Sequence, residues 1–184
     1  MNSLSDNALM LKVKSGRTEM LGLLYERYKK WLYNFFYQMN NNVDLSEDLV
    51  QNVFMRILKY KHTYNGDSKF VTWLFQIARN ESYDHFNKRQ KDRDIIELDQ
   101  VTYKLSDQEN IQEEIESKEK IKLLNEAIQK LSYEKKEVII LSKLKELKYK
   151  EIGKIIGCSE ANARIKAHRA LQDLKTTYLS MQKF

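Results

Sequence analysis

The chain has 184 residues, with 32 Lys/Arg against 26 Asp/Glu, a formal net charge of +6 and a pI near 9.2. A single cysteine, Cys158, excludes an internal disulfide framework. No apolar run approaches the roughly 18 residues of a membrane span, and the start, MNSLSDNALMLKVKSG, lacks a signal-peptide layout, so a soluble cytoplasmic protein with no membrane insertion is expected. With no proline and five glycines, little interrupts helices, and an all-α protein is predicted.

Charge divides the chain into three blocks. Residues 1–91 carry 14 Lys/Arg and 9 Asp/Glu, residues 92–119 carry 3 and 10, and residues 120–184 carry 15 and 7. Two basic helical domains, 1–91 and 120–184, are therefore expected on either side of an acidic linker, 92–119. Basic balance favours a polyanionic partner. The linker has few large apolar residues and no sustained helical period until its end, so little structure of its own is predicted. It is either a plain connection or an acidic strap for a basic channel on a partner.

Two helical patterns run through residues 5–40, the second dense in aromatics that suit a core. In DLSEDLVQNVFMRILKY, Asp44 followed by Glu47 fits a variant capping box at a helix start. Apolar residues at 49, 50, 53, 54, 57 and 58 form one stripe, and Asp48, Gln51, Asn52, Met55 and Lys59 lie opposite. A methionine on that polar side hints at a partner surface. The stretch YNGDS then signals a turn, with Asp67 or Ser68 available to cap the next helix.

In that helix Phe70, Trp73, Leu74, Ile77 and Ala78 line one side. Thr72, Gln76, Arg79, Asn80, Tyr83 and Asn87 line the other. Amides, an arginine and a tyrosine with little net charge are suited to base edges and to stacking on an unpaired base. Lys88, Arg89 and Lys91 follow, suited to phosphate.

The last block predicts helices over 120–131, 134–147 and 149–156. Gly157 ends the third, because glycine enters the left-handed region without a Cβ clash. Ser159 is a good N-cap for a helix starting near Glu160. Short helix, glycine turn and capped second helix make a helix-turn-helix. In the second helix Ala163, Ala167, Ala170, Leu171 and Leu174 share a packing face; Arg164, Ile165, His168 and Arg169 face away, with Lys166 at the flank. A helix that enters the major groove needs this division. Solubility alone is the competing explanation for those charges, but it does not account for the turn and cap in front of them. Cys158 reads as a small buried residue. His62, His85 and His168 show no ligand spacing with it, so neither metal nor cofactor is predicted.

The segments "DLSEDLVQNVFMRILKY…YNGDSKFVTWLFQIARNESYDHFNKR" and "LSYEKKEVIILSKLKELKYKEIGKIIGCSEANARIKAHRAL" resemble regions 2 and 4 of the extracytoplasmic-function (ECF) sigma factors of bacterial RNA polymerase. They stand in the family's order with a linker between, over about residues 8–175. The resemblance implies a specificity subunit without catalytic residues that directs promoter recognition, melting and transcription initiation. It implies that Asp48, Gln51, Asn52, Phe54 and Met55 bind the core polymerase, at the clamp of its largest subunit. It places Tyr64, Asn65, Gly66, Asp67 and Ser68 in a loop that captures a flipped base of the −10 element. Trp73, Gln76, Arg79, Asn80, Lys88 and Arg89 would lie beside the melted DNA. Ser159, Glu160, Arg164, Ile165, Lys166, His168 and Arg169 would meet the −35 element. The flap of the second-largest subunit and an anti-sigma factor are further implied partners. Where many members have Leu-Pro, this chain has Leu131-Ser132, so a serine cap is expected there.

Two other readings stand beside this one. A stand-alone DNA-binding regulator would use only the helix-turn-helix, leaving "TWLF" and the polar face of 44–60 unexplained. A helical adaptor would support no promoter-dependent transcription with core enzyme.

Overall fold

The computed structural model describes residues 4–93, 113–144 and 147–182. Among these residues the regular structure is helical throughout: α1 (Asp6–Lys14), α2 (Leu21–Asn40), α3 (Val43–Tyr60), α4 (Phe70–Arg93), α5 (Glu113–Gln129), α6 (Tyr133–Lys143), α7 (Tyr149–Ile156) and α8 (Glu160–Met181), with 3-10 turns at Thr18–Met20 and Lys61–Thr63. The all-α expectation holds, with a first helical unit α1–α4 and a second, α5–α8. Residues 94–112, most of the expected linker, lie outside the described residues. The described ends of the expected linker are helical: residues 92–93 close α4, and residues 113–119 open α5, which therefore starts ahead of the expected 120. No helix among the described residues is long and apolar enough to cross a membrane.

Helix boundaries follow local chemistry, not always at the expected residue. Asn42, not Asp44, caps α3: its Oδ1 accepts from Leu45 N at 2.9 Å, and Asp44 falls in the first turn, where a carboxylate suits the dipole. The cap of α4 comes from neither Asp67 nor Ser68. The Phe70 N–H donates to Asn7 Oδ1 on α1 at 2.8 Å, across 63 residues of chain. Helix α6 stops at Lys143 rather than 147, where Leu144 turns extended (φ −74°, ψ 117°). Ser132 holds the cap position of α6 with extended backbone, but its side chain makes no capping hydrogen bond.

Aromatic and aliphatic side chains tie the first unit together. Tyr25 meets Phe54 edge-on at 4.9 Å, Phe35 meets Phe75 at 5.6 Å, and Tyr28 meets Phe70 at 5.4 Å. Leu24, Leu32, Ile57 and Leu74 are fully buried among them. Truncating such a leucine to alanine costs about 2–5 kcal/mol. Arg56 of α3 pairs with Glu81 and Asp84 of α4.

In the second unit α8 packs its small residues, Ala163, Ala167 and Ala170, against α6 and α7, all three without exposure. Small side chains let the helix axes approach. Gly157 makes the turn between α7 and α8, and Gly153, within α7, lets that turn pack back against the helix. A Cβ on Gly153 would stand 2.7 Å from the Cys158 carbonyl oxygen, and Gly157 has φ +74°.

The two units pack on one another, α4 on α7 and α2 on α6. Polar ties cross the seam. Gln129 Nε2 donates to Gln38 O at 2.9 Å, and Lys136 Nζ to Met39 O at 3.3 Å, near the C-terminal end of α2 where a cation is favourable. Tyr133 lies against the rings of Tyr83 (5.7 Å) and Phe86 (4.8 Å).

Candidate nucleic-acid interfaces

The side chains expected to act fall into three groups, and the fold treats them differently. On α3, Asp48, Gln51, Asn52 and Met55 share an exposed face, and Met55 is 66% exposed despite its apolar side chain. Phe54 belongs to the opposite side, buried against Tyr25. It orients the helix rather than presenting a surface.

The 64–68 loop joins α3 to α4. Tyr64 is 1% exposed, its ring 5.1 Å from Trp73 and 6.2 Å from Phe70, so it anchors the loop from beneath. Its hydroxyl donates to Ser68 O at 3.2 Å, and burial, with the Asp6 charge second, pushes its pKa up to about 12. Asn65 and Asp67 are exposed; Asp67 N donates to Asn65 Oδ1 at 3.2 Å, and Asn65 Nδ2 donates to Asp67. Gly66 takes φ +82°, open only to residues that tolerate the left-handed region.

Along α4, Asn80, Lys88 and Arg89 are exposed and Trp73 is half-buried. Thr72, expected on the polar face, is buried. Gln76 and Arg79 do not face open solvent alone: the second unit engages both. Gln76 Nε2 donates to Lys154 O at 3.0 Å, and Arg79 Nε stands 3.0 Å from Glu137 Oε1. Glu137 is 3% exposed, and burial pushes its carboxyl above the usual range, with Arg79 opposing that shift. Lys69, beside the loop, pairs with Glu151 at 3.2 Å. Burial would raise the Glu151 pKa, but the Lys69 contact and the Lys148 N–H outweigh it and hold it below its ordinary value.

The helix-turn-helix is assembled as its sequence predicts. Gly157 ends α7 in the left-handed region, and Ser159 Oγ accepts from Asn162 N at 3.2 Å to start α8. Arg164, Ile165, Lys166, His168 and Arg169 all point outward, with Ile165 48% exposed. Ser159 and Glu160 are exposed at the N-terminus of α8, the end that enters a groove in this motif. Arg164 is held rather than loose: Glu160 Oε1 accepts from it at 3.1 Å, and its guanidinium lies 4.9 Å from the Tyr149 ring centre. Lys166 pairs at 3.8 Å with Glu134 of α6. Leu171 departs from the expected packing face and is 38% exposed beside Ile121 and Leu124 of α5. Cys158 is half-buried, its thiol 3.4 Å from Ser159 O.

Several positioning side chains carry no sequence signal. Asn7 reaches Ser68 O at 3.2 Å, Gly66 O at 3.5 Å and the Phe70 N–H; Lys14 Nζ donates to Tyr64 O at 2.6 Å. Both lie on α1, some 50 or more residues away in sequence, where pattern reading sees only polar positions of a short amphipathic helix. Tyr149 under Arg164 is equally invisible, since the contact depends on how α7 crosses α8.

A helical unit with an exposed polar face on α3 and a loop over an aromatic cluster, followed by a helix-turn-helix with a basic outer face, is the arrangement of a two-part sigma-type transcription factor. Comparison with known proteins agrees. The Sigma-70 region 2 family model matches residues 24–92, and Sigma-70 region 4 matches residues 121–174. The chain is 36% identical over 155 residues to the ECF RNA polymerase sigma factor SigM of Bacillus subtilis (strain 168), covering 84% of this chain and 93% of that one. It is 32% identical over 160 residues to SigX of the same organism, covering 85% and 82%. The solved structure of the sigma factor RpoE with the anti-sigma factor NepR from Bartonella quintana shares the fold, with TM-score 0.65, 24% identity and coverage of 89% and 96%. The chain belongs to the ECF RNA polymerase sigma factors, alternative sigma factors that act in transcription initiation.

Proposed function

We propose that three surfaces divide the work of this sigma factor. The exposed face of α3, through Asp48, Gln51, Asn52 and Met55, docks on the core polymerase at the clamp of its largest subunit. The loop 64–68 captures an unpaired base of the −10 element, and Asn80 with Trp73, Gln76 and Arg79 accompanies the melted strand, while Lys88 and Arg89 hold phosphates. Helix α8 reads the −35 element with Arg164, Ile165, Lys166, His168 and Arg169, and Ser159 and Glu160 set its approach. The domains run over 1–91 and 120–184, joined by the acidic segment 92–119, whose stretch between α4 and α5 threads a basic channel of the enzyme, with the second domain on the flap of the second-largest subunit.

The protein has no catalytic residues of its own on this reading; the polymerase does the chemistry, in the cytoplasm. An anti-sigma factor regulates it, in line with the NepR complex of RpoE. Because Gln76 and Arg79 are engaged by Lys154 and Glu137, the two units part before melted DNA reaches α4.

The observation that carries this reading is α8: an alanine back with no exposure, and five outward residues of which three are permanent cations or guanidinium forks. The test is transcription in vitro. Purified protein added to core polymerase is expected to start transcripts from defined 5′ ends, and replacement of both Asp48 and Gln51 by alanine to abolish core binding with helical content unchanged. No promoter-dependent transcript, or undiminished core affinity in the double variant, overturns the respective part.

A further inference from the structure

Helix α1 lies under the 64–68 loop, although neither the sequence pattern nor the matched family regions give it a role; the region 2 match begins only at residue 24. One side chain does three things there. Asn7 Oδ1 accepts the N–H of Phe70, the first residue of α4, at 2.8 Å. Its Nδ2 donates to Ser68 O at 3.2 Å and, more weakly, to Gly66 O at 3.5 Å. A primary amide alone among side chains of this size offers an acceptor and two donors in one plane. Only one orientation of that amide satisfies all three partners, because its oxygen must face the N–H and its nitrogen the two carbonyls.

The consequence is geometric. The loop is fixed at both of its ends and in the middle from a single helix: Lys14 Nζ holds Tyr64 O at 2.6 Å, and Asn7 holds Gly66, Ser68 and the start of α4. Leu11, one turn along α1 from Asn7, sits beneath Gly66, with its methyl groups 3.8 and 3.9 Å from where a Cβ would stand. Asn65 and Asp67 then project from a backbone that cannot drift, their side chains joined to each other and exposed. Selection of one base over another needs donors and acceptors fixed in advance, since a loose loop accommodates any base.

We propose that Asn7 is a positioning residue for base selection: it holds the 64–68 loop in the shape that discriminates among unpaired bases. This rests on the reading of that loop as a −10 base pocket. Asp at position 7 keeps the acceptor for the Phe70 N–H, and a carboxylate at a helix N-terminus is favourable, so the α4 cap survives. It replaces the donors to Gly66 O and Ser68 O with a carboxylate oxygen that repels both carbonyls, which opens the clamp. Asn7→Asp therefore separates cap from clamp, whereas Asn7→Ala removes both.

The experiment uses holoenzyme formed with core polymerase. Binding is measured to single-stranded −10 oligonucleotides carrying each of the four bases in turn at every position, beside thermal unfolding of the free protein. The native protein is expected to prefer one base at one position, and Asn65→Ala or Asp67→Ala to erase that preference. Asn7→Asp is expected to unfold closer to the native temperature than Asn7→Ala yet reduce the preference ratio roughly tenfold, the scale of one or two hydrogen bonds. Asn7→Ala is expected to lose both selectivity and stability. If Asn7→Asp keeps the native ratio while the loop variants lose theirs, the loop reading stands and the positioning role is overturned. An equal loss on all four bases with an unchanged ratio also overturns it, since that is a structural effect alone. If Asn65→Ala and Asp67→Ala leave the ratio unchanged, the loop is not the base pocket and the inference falls with it.

Discussion

Glu137 sits in the seam between the two units, 3% exposed and 3.0 Å from Arg79. Burial is the larger influence on its carboxyl and raises its pKa; the arginine only partly offsets this. The sign follows from linkage. A folded-state pKa above the unfolded value means the group's contribution to stability is full below the unfolded pKa and is lost as pH rises through the folded one. Removing its charge should therefore do no harm at neutral pH. Glu137→Gln is expected to be at least as stable as the native protein at pH 7, with the difference between the two vanishing on acidification below the carboxylate range. Paired thermal or denaturant melts at several pH values measure this. A Glu137→Gln protein clearly less stable than native at pH 7 would show that attraction to Arg79 outweighs desolvation.

At the same scale, the sequence conveyed residue type better than residue address. Tyr64 and Phe54 lie within the segments assigned to contact, and both turn out buried, at 1% and 6% exposure. Aromatic residues suit both a core and a stacking platform, so chemistry alone does not choose. The outward set on α8 was legible because alanines at 163, 167 and 170 mark the packed side, although Leu171, expected with them, is 38% exposed.

At the scale of elements, the helix-turn-helix depends on one close approach. Position 153 admits only glycine, since a Cβ would stand 2.7 Å from the Cys158 oxygen and 3.2 Å from the Ser159 carbonyl atoms. All of these neighbours are backbone, so the turn itself would have to shift. Gly153→Ala is expected to cost roughly 1–3 kcal/mol of stability, and to weaken duplex binding by α8 further than stability loss alone explains. Thermal unfolding with duplex titration at one fixed salt concentration checks both; native-like values in the two together contradict the packing argument. Helix existence was readable throughout from the 3.6-residue period, and Gly157 with Ser159 marked the turn from sequence. The true caps of α3 and α4 were not, because Asn42 competes with an equally plausible Asp44, and Asn7 acts across 63 residues. Local patterns carry no information about such a contact.

At the scale of the whole molecule, the closed packing of α4 on α7 and α2 on α6 has no counterpart in the sequence, where the two basic blocks repel on average. Specific ties offset that: Lys69–Glu151, and the Lys136 and Gln129 bonds to the end of α2. Fluorophores at the exposed positions 90 and 172 are expected to report an increased separation when core polymerase binds, because Gln76 and Arg79 have to be released. An unchanged separation in holoenzyme would contradict an opening step.

The central claim is that one chain carries two DNA sites used in succession, α8 on duplex and the loop with α4 on opened DNA. Permanganate footprinting of a promoter, beside duplex binding of the same holoenzymes at one salt concentration, tests it most directly. Arg164→Ala is expected to weaken duplex binding and relax the upstream sequence preference, where a bidentate arginine–guanine contact is worth about 1–3 kcal/mol. Asn80→Ala is expected to leave duplex binding nearly intact and to reduce the reactivity of melted thymines. Normal melting by Asn80→Ala, or unchanged duplex affinity and selectivity in Arg164→Ala, would contradict the account.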